Sequence, residues 1–164
     1  MRAWRNRAVI VAASVLVCGL TQAFDNDDLR RLLAGEDCVK CDLRKADLKG
    51  LDLSGRDLAG AFMERADLSG ANLRGANLSG AKLIKAALRG VDADGASFVI
   101  TDLESADLSG ASLAGTDFSR ARAPEAVFNN TRARKARFKG TKLRAAKFID
   151  ADLEAADMSG AKAP

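Results

Sequence analysis

The run ADLSGANLRGANLSG at residues 66–80 consists of three five-residue units, each with alanine first and leucine third. The same spacing of an apolar centre continues from Leu43 to Ala163 through 25 units without an insertion. Neither the period of an amphipathic helix nor the two-residue alternation of a strand produces this pattern. A short period maintained over this length predicts a solenoid, in which each repeat stacks on its neighbours.

Two columns of the repeat are apolar. The centres comprise 14 Leu, 5 Phe, 2 Met and 4 Ala, and the positions two residues earlier comprise 17 Ala and 4 Thr. The exceptions in this second column are Cys41, Leu51, Arg56 and Val91. Because residues two apart on an extended chain point to the same side, both columns are predicted to face one interior. The positions between them are then predicted to face water.

Units such as residues 66–70, 71–75 and 106–110 resemble the pentapeptide repeat family. The resemblance implies an all-β solenoid, specifically a right-handed, quadrilateral β-helix with four pentapeptides to a coil. Successive coils of such a helix are stacked by backbone hydrogen bonds. The 25 units would then form about six coils, because a coil uses four of them.

Four units to a coil place residues 20 apart on the same side, which offers a check on this geometry. The five phenylalanine centres sort accordingly, three on one side and two on the opposite side: Phe98, Phe118 and Phe138, then Phe128 and Phe148. In the coil of residues 121–140, two Phe centres are balanced by two Ala centres, Ala123 and Ala133. A densely packed core tolerates such compensated changes in volume.

The N-terminus has the composition of a secretory signal peptide. A basic stretch at residues 1–7 precedes an apolar segment at residues 8–20, and a small-residue cleavage site ends at Ala23. We therefore predict that residues 1–23 are removed and that the protein is exported, either periplasmic or secreted. The apolar segment is shorter than the roughly 20 residues that span a bilayer. The alternatives are an uncleaved membrane anchor through residues 8–20 and lipidation at Cys18.

A short helix is predicted between the signal peptide and the repeats. Residues 24–37 contain a capping residue at Asp25 or Asn26, leucines on one apolar face, and Gly35 as a stop. A solenoid exposes its first coil unless something covers it. This segment is therefore predicted to cap a β-helix that extends over residues 38–164.

Cys38 and Cys41 have a spacing that suits a redox pair, a metal half-site or a local disulfide. Cys41 occupies the small inward column, and Cys38 lies five residues before the Leu43 centre. Both are therefore predicted to be buried in the first coil, either as free thiols or joined in a disulfide in an oxidising compartment. No metal site or cofactor is predicted, since the chain contains no histidine. Redox exchange would require an exposed thiol of low pKa.

The charged residues are segregated along the chain. Residues 91–119 carry six acids and no base, whereas residues 120–147, here called the basic belt, carry ten bases and one acid. Without the signal peptide the net charge is near neutral, because three of the 26 basic residues leave with it and 22 acids remain. Six outward members of the basic belt are candidate anion-binding residues: Arg132, Arg134, Arg137, Lys142, Arg144 and Lys147.

Catalysis is not predicted. The chain has no His and no Tyr, no glycine-rich phosphate loop and no serine in a nucleophile elbow, so the commonest general bases and nucleophile pairs are missing. We predict no catalytic residues, no small-molecule substrate, and an exported structural or interaction scaffold with a protein partner. The alternative is binding of a polyanion, such as anionic lipid, polysaccharide or nucleic acid, through the basic belt.

Two further expectations concern partners. Some pentapeptide repeat proteins mimic DNA and shield topoisomerases, but that role calls for a strongly acidic rod. The last coil continues the repeat without a capping helix and leaves the apolar Met158 uncovered. Open coils expose unpaired backbone groups, which predicts a weak homodimer or a docked partner at the C-terminal coil.

Overall fold

The computed structural model describes residues 25–163, which form one α-helix and a four-sided coil. The helix, α1 (Asn26–Leu33), precedes a series of parallel bridges that join residues 20 apart, from Asp42 with Phe62 to Lys142 with Lys162. Each bridge involves a single residue on each coil, because every side is short and a turn follows it. The predicted right-handed quadrilateral β-helix with a short N-terminal helix is confirmed.

Successive coils are held together by backbone hydrogen bonds on every side. On one side the Leu68 N–H donates to the Ala87 carbonyl (2.8 Å), and the Gly70 N–H donates to the Arg89 carbonyl (2.8 Å). The Asp67 N–H donates in the other direction, to the Ala46 carbonyl (3.0 Å). This ladder satisfies backbone groups that would otherwise be buried without partners.

The four sides define four outer faces. Face 1 contains residues 41–45 and their equivalents at intervals of 20, and faces 2, 3 and 4 begin with residues 46–50, 51–55 and 56–60. The face of any residue therefore follows from its number, and its neighbours in the adjacent coils lie 20 residues away.

The two inward columns fill the interior. The phenylalanine rings stack in the predicted columns: Phe98 on Phe118 (5.0 Å between ring centroids), Phe118 on Phe138 (4.9 Å) and Phe128 on Phe148 (4.7 Å). Rings from the two opposite sides meet edge to face, as Phe118 and Phe128 do at 5.7 Å. The predicted sorting of phenylalanines by side is confirmed.

Threonines of the small column are buried without an unsatisfied hydroxyl. The Thr101 hydroxyl donates to the Leu78 carbonyl and the Thr141 hydroxyl donates to the Phe118 carbonyl, both at 2.7 Å. Each of these two bonds crosses to the preceding coil. Threonine can therefore replace alanine at these positions without leaving a buried hydroxyl unpaired.

Helix α1 covers the first coil. Leu32 is buried and Leu29 packs beside it on the core. The Asp42 N–H donates to the Asp28 carboxylate (2.8 Å), so a helix side chain satisfies a backbone donor of the first coil. Arg56, the basic exception in the small column, is half-buried rather than fully turned out to solvent.

The C-terminal coil is less covered than the rest. Phe148 and Leu153 are only partly buried, and Met158 is 38% exposed. Dimerisation through this coil stays a prediction. The predicted signal peptide, residues 1–23, lies outside the described residues. Within residues 25–163 no helix has the length and apolar character needed to cross a bilayer.

Candidate anion-binding surface

The six candidate residues of the basic belt are exposed but lie on different faces. Their faces follow from the 20-residue register: face 1 for Lys142 and Arg144, face 2 for Lys147, face 3 for Arg132 and Arg134, and face 4 for Arg137. A single flat ligand therefore cannot contact all six at once.

The basic belt lies directly above residues 91–119, here called the acidic stretch, in the stack of coils. Arg122 contacts Asp102 (2.9 Å) and Glu104, and Arg137 contacts Asp117 (2.6 Å). These pairs arise because residues 120–139 stack on residues 100–119. Charges that are segregated along the chain are thus partly paired between coils.

Two of the six candidates are engaged by carboxylates. Burial acts to raise the pKa of Asp117, but hydrogen bonds from Ser119 and the nearby charge of Arg137 outweigh it. The pKa of Asp117 is therefore below its usual value. Arg134 contacts Asp152 (2.5 Å) and Glu154 (3.0 Å), and its hydrogen bond lowers the pKa of Asp152. Exposed pairs of this kind add little stability, but they occupy the guanidinium groups.

The other four candidates have no such partner. Among the residues that the structure describes, no carboxylate lies within 4.0 Å of the charged groups of Arg132, Lys142, Arg144 and Lys147. Lys142 and Arg144 share face 1, where the neighbouring Lys162 is bridged to Lys142.

Face 1 has the largest net positive charge of the four faces. Over residues 41–163 it has nine basic and five acidic residues, whereas the other three faces together have 11 basic and 12 acidic residues. Among the described residues of this face, only Arg44, with Asp42, and Arg122 are ion-paired. The remaining seven bases have no carboxylate within 4.0 Å in the described part of the chain: Lys45, Arg65, Lys82, Lys85, Lys142, Arg144 and Lys162.

Sequence reasoning missed five of these seven residues. Lys45, Arg65 and Lys85 belong to one corner column, but they are distant from the basic belt along the chain. The sequence could have revealed them if charges had been grouped by face, that is, over positions 20 residues apart. Such grouping places all three on the same face as Lys142.

The structure joins Cys38 and Cys41 in a disulfide. Both residues are buried, at 0% and 2% exposure, and the Asp28 carbonyl of α1 lies 3.5 Å from the Cys38 sulfur. The bond therefore lies beneath the capping helix, and neither sulfur is placed for exchange with a large partner.

Within residues 25–163 no group of three or more His, Cys, Asp or Glu side chains is arranged to hold a metal ion. A groove of about 590 Å³ lies at the corner between faces 4 and 1, with Arg120 and Lys139 on its wall. A second groove of about 590 Å³ lies at the end of face 3, lined by Arg134, Lys135 and Glu154.

The fold and the repeat define a solenoid built from pentapeptides. The family model for pentapeptide repeats matches in overlapping segments from residue 46 to residue 160: 46–83, 61–99, 71–110, 101–140 and 125–160. These segments cover well over half of the chain, and the protein belongs to the pentapeptide repeat family. Proteins of this family are generally non-catalytic.

Several solved structures are similar to this chain. A pentapeptide repeat protein from the Arabidopsis thaliana thylakoid lumen is 33% identical, with 56% of this chain and 67% of that chain covered and a TM-score of 0.49. A protein from Nostoc Pcc 7120 is 28% identical (87% and 99% covered, TM-score 0.42). Rfr23 from Cyanothece 51142 is 22% identical (84% and 94% covered, TM-score 0.45). No curated protein matches the chain.

Proposed function

We propose that this protein is a non-catalytic, exported scaffold that presents side chains of its outer faces to a protein partner. The observation that carries the proposal is the use of the inward positions: they are occupied by stacking side chains from Cys38 to Leu143. The polar side chains that could contact a partner therefore lie on the outer faces, where they form hydrogen-bonded columns from coil to coil. Examples are the bonds from the Asn72 amide to the Asp52 carboxylate (3.0 Å) and from the Asn77 amide to the Asp57 carboxylate (2.9 Å). Such surfaces suit extended binding, which repeat proteins commonly use.

Export rests on the signal-like composition of residues 1–23 and fits an oxidised Cys38–Cys41 pair. The test is fractionation of cells that express the full chain, followed by N-terminal sequencing of the recovered protein. We expect a protein outside the cytoplasm that begins at Phe24. A soluble cytoplasmic protein that still begins at Met1 would contradict export, and a membrane-bound one would indicate the anchor.

The scaffold is tested by photo-crosslinking in living cells. A photoreactive residue is placed at one outward position on each face: Lys82, Ala87, Asn72 and Asn77 on faces 1 to 4. A docked partner covers one face or two adjoining faces, so we expect one discrete adduct from those positions and none from the opposite face. Absence of any adduct at all four positions would contradict the proposal.

Polyanion binding is a second candidate, and the excess of unpaired bases on face 1 favours it. DNA mimicry is not proposed, because all six acids of residues 91–119 already bind arginines. These acids are Asp92, Asp94, Asp102, Glu104, Asp107 and Asp117.

A further inference from the structure

We propose that face 1 is a docking surface for a lipid bilayer that contains anionic phospholipid. This inference rests on the second candidate function, polyanion binding, and names the partner. The four faces differ in a way that the chain order conceals: face 1 has a net charge of +4, and the other three faces sum to −1.

Seven of the nine bases of face 1 lie in two parallel columns along the stack, and Arg44 and Arg144 lie between these columns. Lys82, Arg122, Lys142 and Lys162 occupy bridge positions, and Lys45, Arg65 and Lys85 occupy the adjoining corner. Seven bridge positions of this face, from Asp42 to Lys162, are in register at the inter-strand spacing of about 4.8 Å, so the face extends for roughly 29 Å. Charge spread over a ladder of this length matches a planar array of headgroups better than a single small anion.

The internal electrostatics of face 1 leave room for external anions. Arg122, Lys142 and Lys162 are consecutive neighbours in the bridge column. Like charges directly opposite each other on adjacent strands repel, and only Arg122 has carboxylate partners, in Asp102 and Glu104. A layer of negatively charged headgroups would compensate the lysines without displacing an existing ion pair.

The apolar residues near face 1 favour a bilayer over a nucleic acid or a polysaccharide. The only aromatic side chain on this face is Phe62, which is half-buried with the Lys82 ammonium 5.0 Å from its ring centroid. No open ring is therefore offered for the stacking that single-stranded nucleic acids use. Ile100, at the corner between faces 4 and 1, is 61% exposed. A bilayer interface offers such a side chain an apolar environment, which a soluble polyanion does not supply.

The test is sedimentation of the full chain with vesicles of phosphatidylcholine and phosphatidylglycerol. Pure phosphatidylcholine vesicles are measured in parallel, because the apolar residues 8–20 can enter any bilayer. The face 1 variant combines Lys85→Gln, Lys142→Gln and Lys162→Gln. A matched control variant combines Arg132→Gln, Lys135→Gln and Lys147→Gln, which removes the same charge from faces 3 and 2. Circular dichroism verifies that both variants fold.

Each basic residue near an anionic surface contributes about fivefold to binding, so the face 1 variant should lose about 100-fold in the preference for anionic over neutral vesicles. The control variant should lose much less, and high salt should release the parent protein. An equal loss of this preference in the two variants would overturn the proposal, since the net charge of the protein, rather than the charge of face 1, would then explain binding.

Binding of inorganic polyphosphate distinguishes a preference for a lipid bilayer from a preference for any polyanion. If polyphosphate binds in a manner that depends on face 1 while anionic vesicles show no preference over neutral ones, the bilayer proposal fails and polyanion binding stands. If neither binds, both fail.

Discussion

The turn that ends each pentapeptide requires its last residue to adopt a left-handed backbone conformation. Every fifth position from Lys45 to Gly160 has a positive φ, between 54° and 70°, and half of these positions are not glycine. Ile100 is the β-branched member, with φ 59° and an exposed side chain. This conformation is costly for β-branched residues and readily adopted by asparagine. The fold therefore tolerates local strain because packing on both sides fixes the backbone.

Ile100→Gly should raise the free energy of unfolding by roughly 1 kcal/mol, because glycine relieves the left-handed strain and this gain exceeds its larger loss of backbone entropy. The measurement is urea unfolding of parent and variant. Asn130→Gly, at φ 56°, is the matched control and should change stability by less than about 0.5 kcal/mol. A loss of stability in Ile100→Gly would show that the side chain makes contacts that outweigh strain.

At the scale of one coil, the interior is filled by complementary volumes. In the coil of residues 121–140, Phe128 and Phe138 meet edge to face at 5.7 Å, and Ala123 and Ala133 occupy the other two sides, all fully buried. The coil can accommodate two large rings because its other two sides are small.

Ala133→Phe should overpack this coil and lower the free energy of unfolding by roughly 1–3 kcal/mol. Leu113→Phe is the control, since it enlarges an already large centre on the same face one coil earlier. Urea melts of both variants measure the difference. Parent-like stability of Ala133→Phe would mean that the coil contains space which the balance of volumes does not predict.

The disulfide closes a very short loop beneath α1. Replacing both cysteines, as Cys38→Ala and Cys41→Ala together, should lower stability by about 2 kcal/mol, because a four-residue loop then gains freedom in the unfolded chain. Thermal or urea unfolding with and without a reducing agent measures this. The reductant should destabilise the parent and leave the variant unchanged; an effect of equal size on both would rule out the disulfide as its target.

At the scale of the whole molecule, the distribution of charge depends on the coil more than on the chain. Seven aspartates have a pKa below the usual value, with hydrogen bonds from serine or backbone donors and nearby bases opposing burial: Asp42, Asp52, Asp67, Asp107, Asp117, Asp152 and Asp157. A carboxyl group whose pKa is lower in the folded state stabilises the fold when ionised.

Stability should therefore be nearly constant from pH 8 to pH 5 and should decrease as the pH falls below about 4, where these carboxylates acquire protons. The upper range is flat because the chain has no histidine. Urea midpoints at pH 7, 5 and 3 measure the profile. A midpoint at pH 3 equal to that at pH 7 would contradict a stabilising role for the aspartates.

The solenoid and its inward columns could be predicted from the residues alone, because a fixed period determines which side chains share the interior. The four-sided coil is implied by the resemblance to the pentapeptide repeat family, and the phenylalanine stacks follow once four units make a coil. The burial of Cys38 follows from the same register, whereas the capping helix α1 is predicted from its capping residue, its leucine face and the stop at Gly35. The basic face could not be found by grouping charges along the chain: Lys45 and Lys142 are far apart in sequence but lie on one face. Pairing of Arg134 with Asp152 also depends on side-chain geometry, which the period does not specify.

The 20-residue register has a consequence for insertions and deletions. Removal of a complete coil, such as residues 81–100, shortens the rod but leaves every remaining side chain on its original face. Removal of one pentapeptide, such as residues 86–90, turns all later residues by a quarter of a revolution relative to those before. Lys142 and Lys162 would then lie on a different face from Lys45 and Arg65. Length changes in this molecule therefore act as rotations, and only multiples of four repeats preserve the alignment of its surfaces.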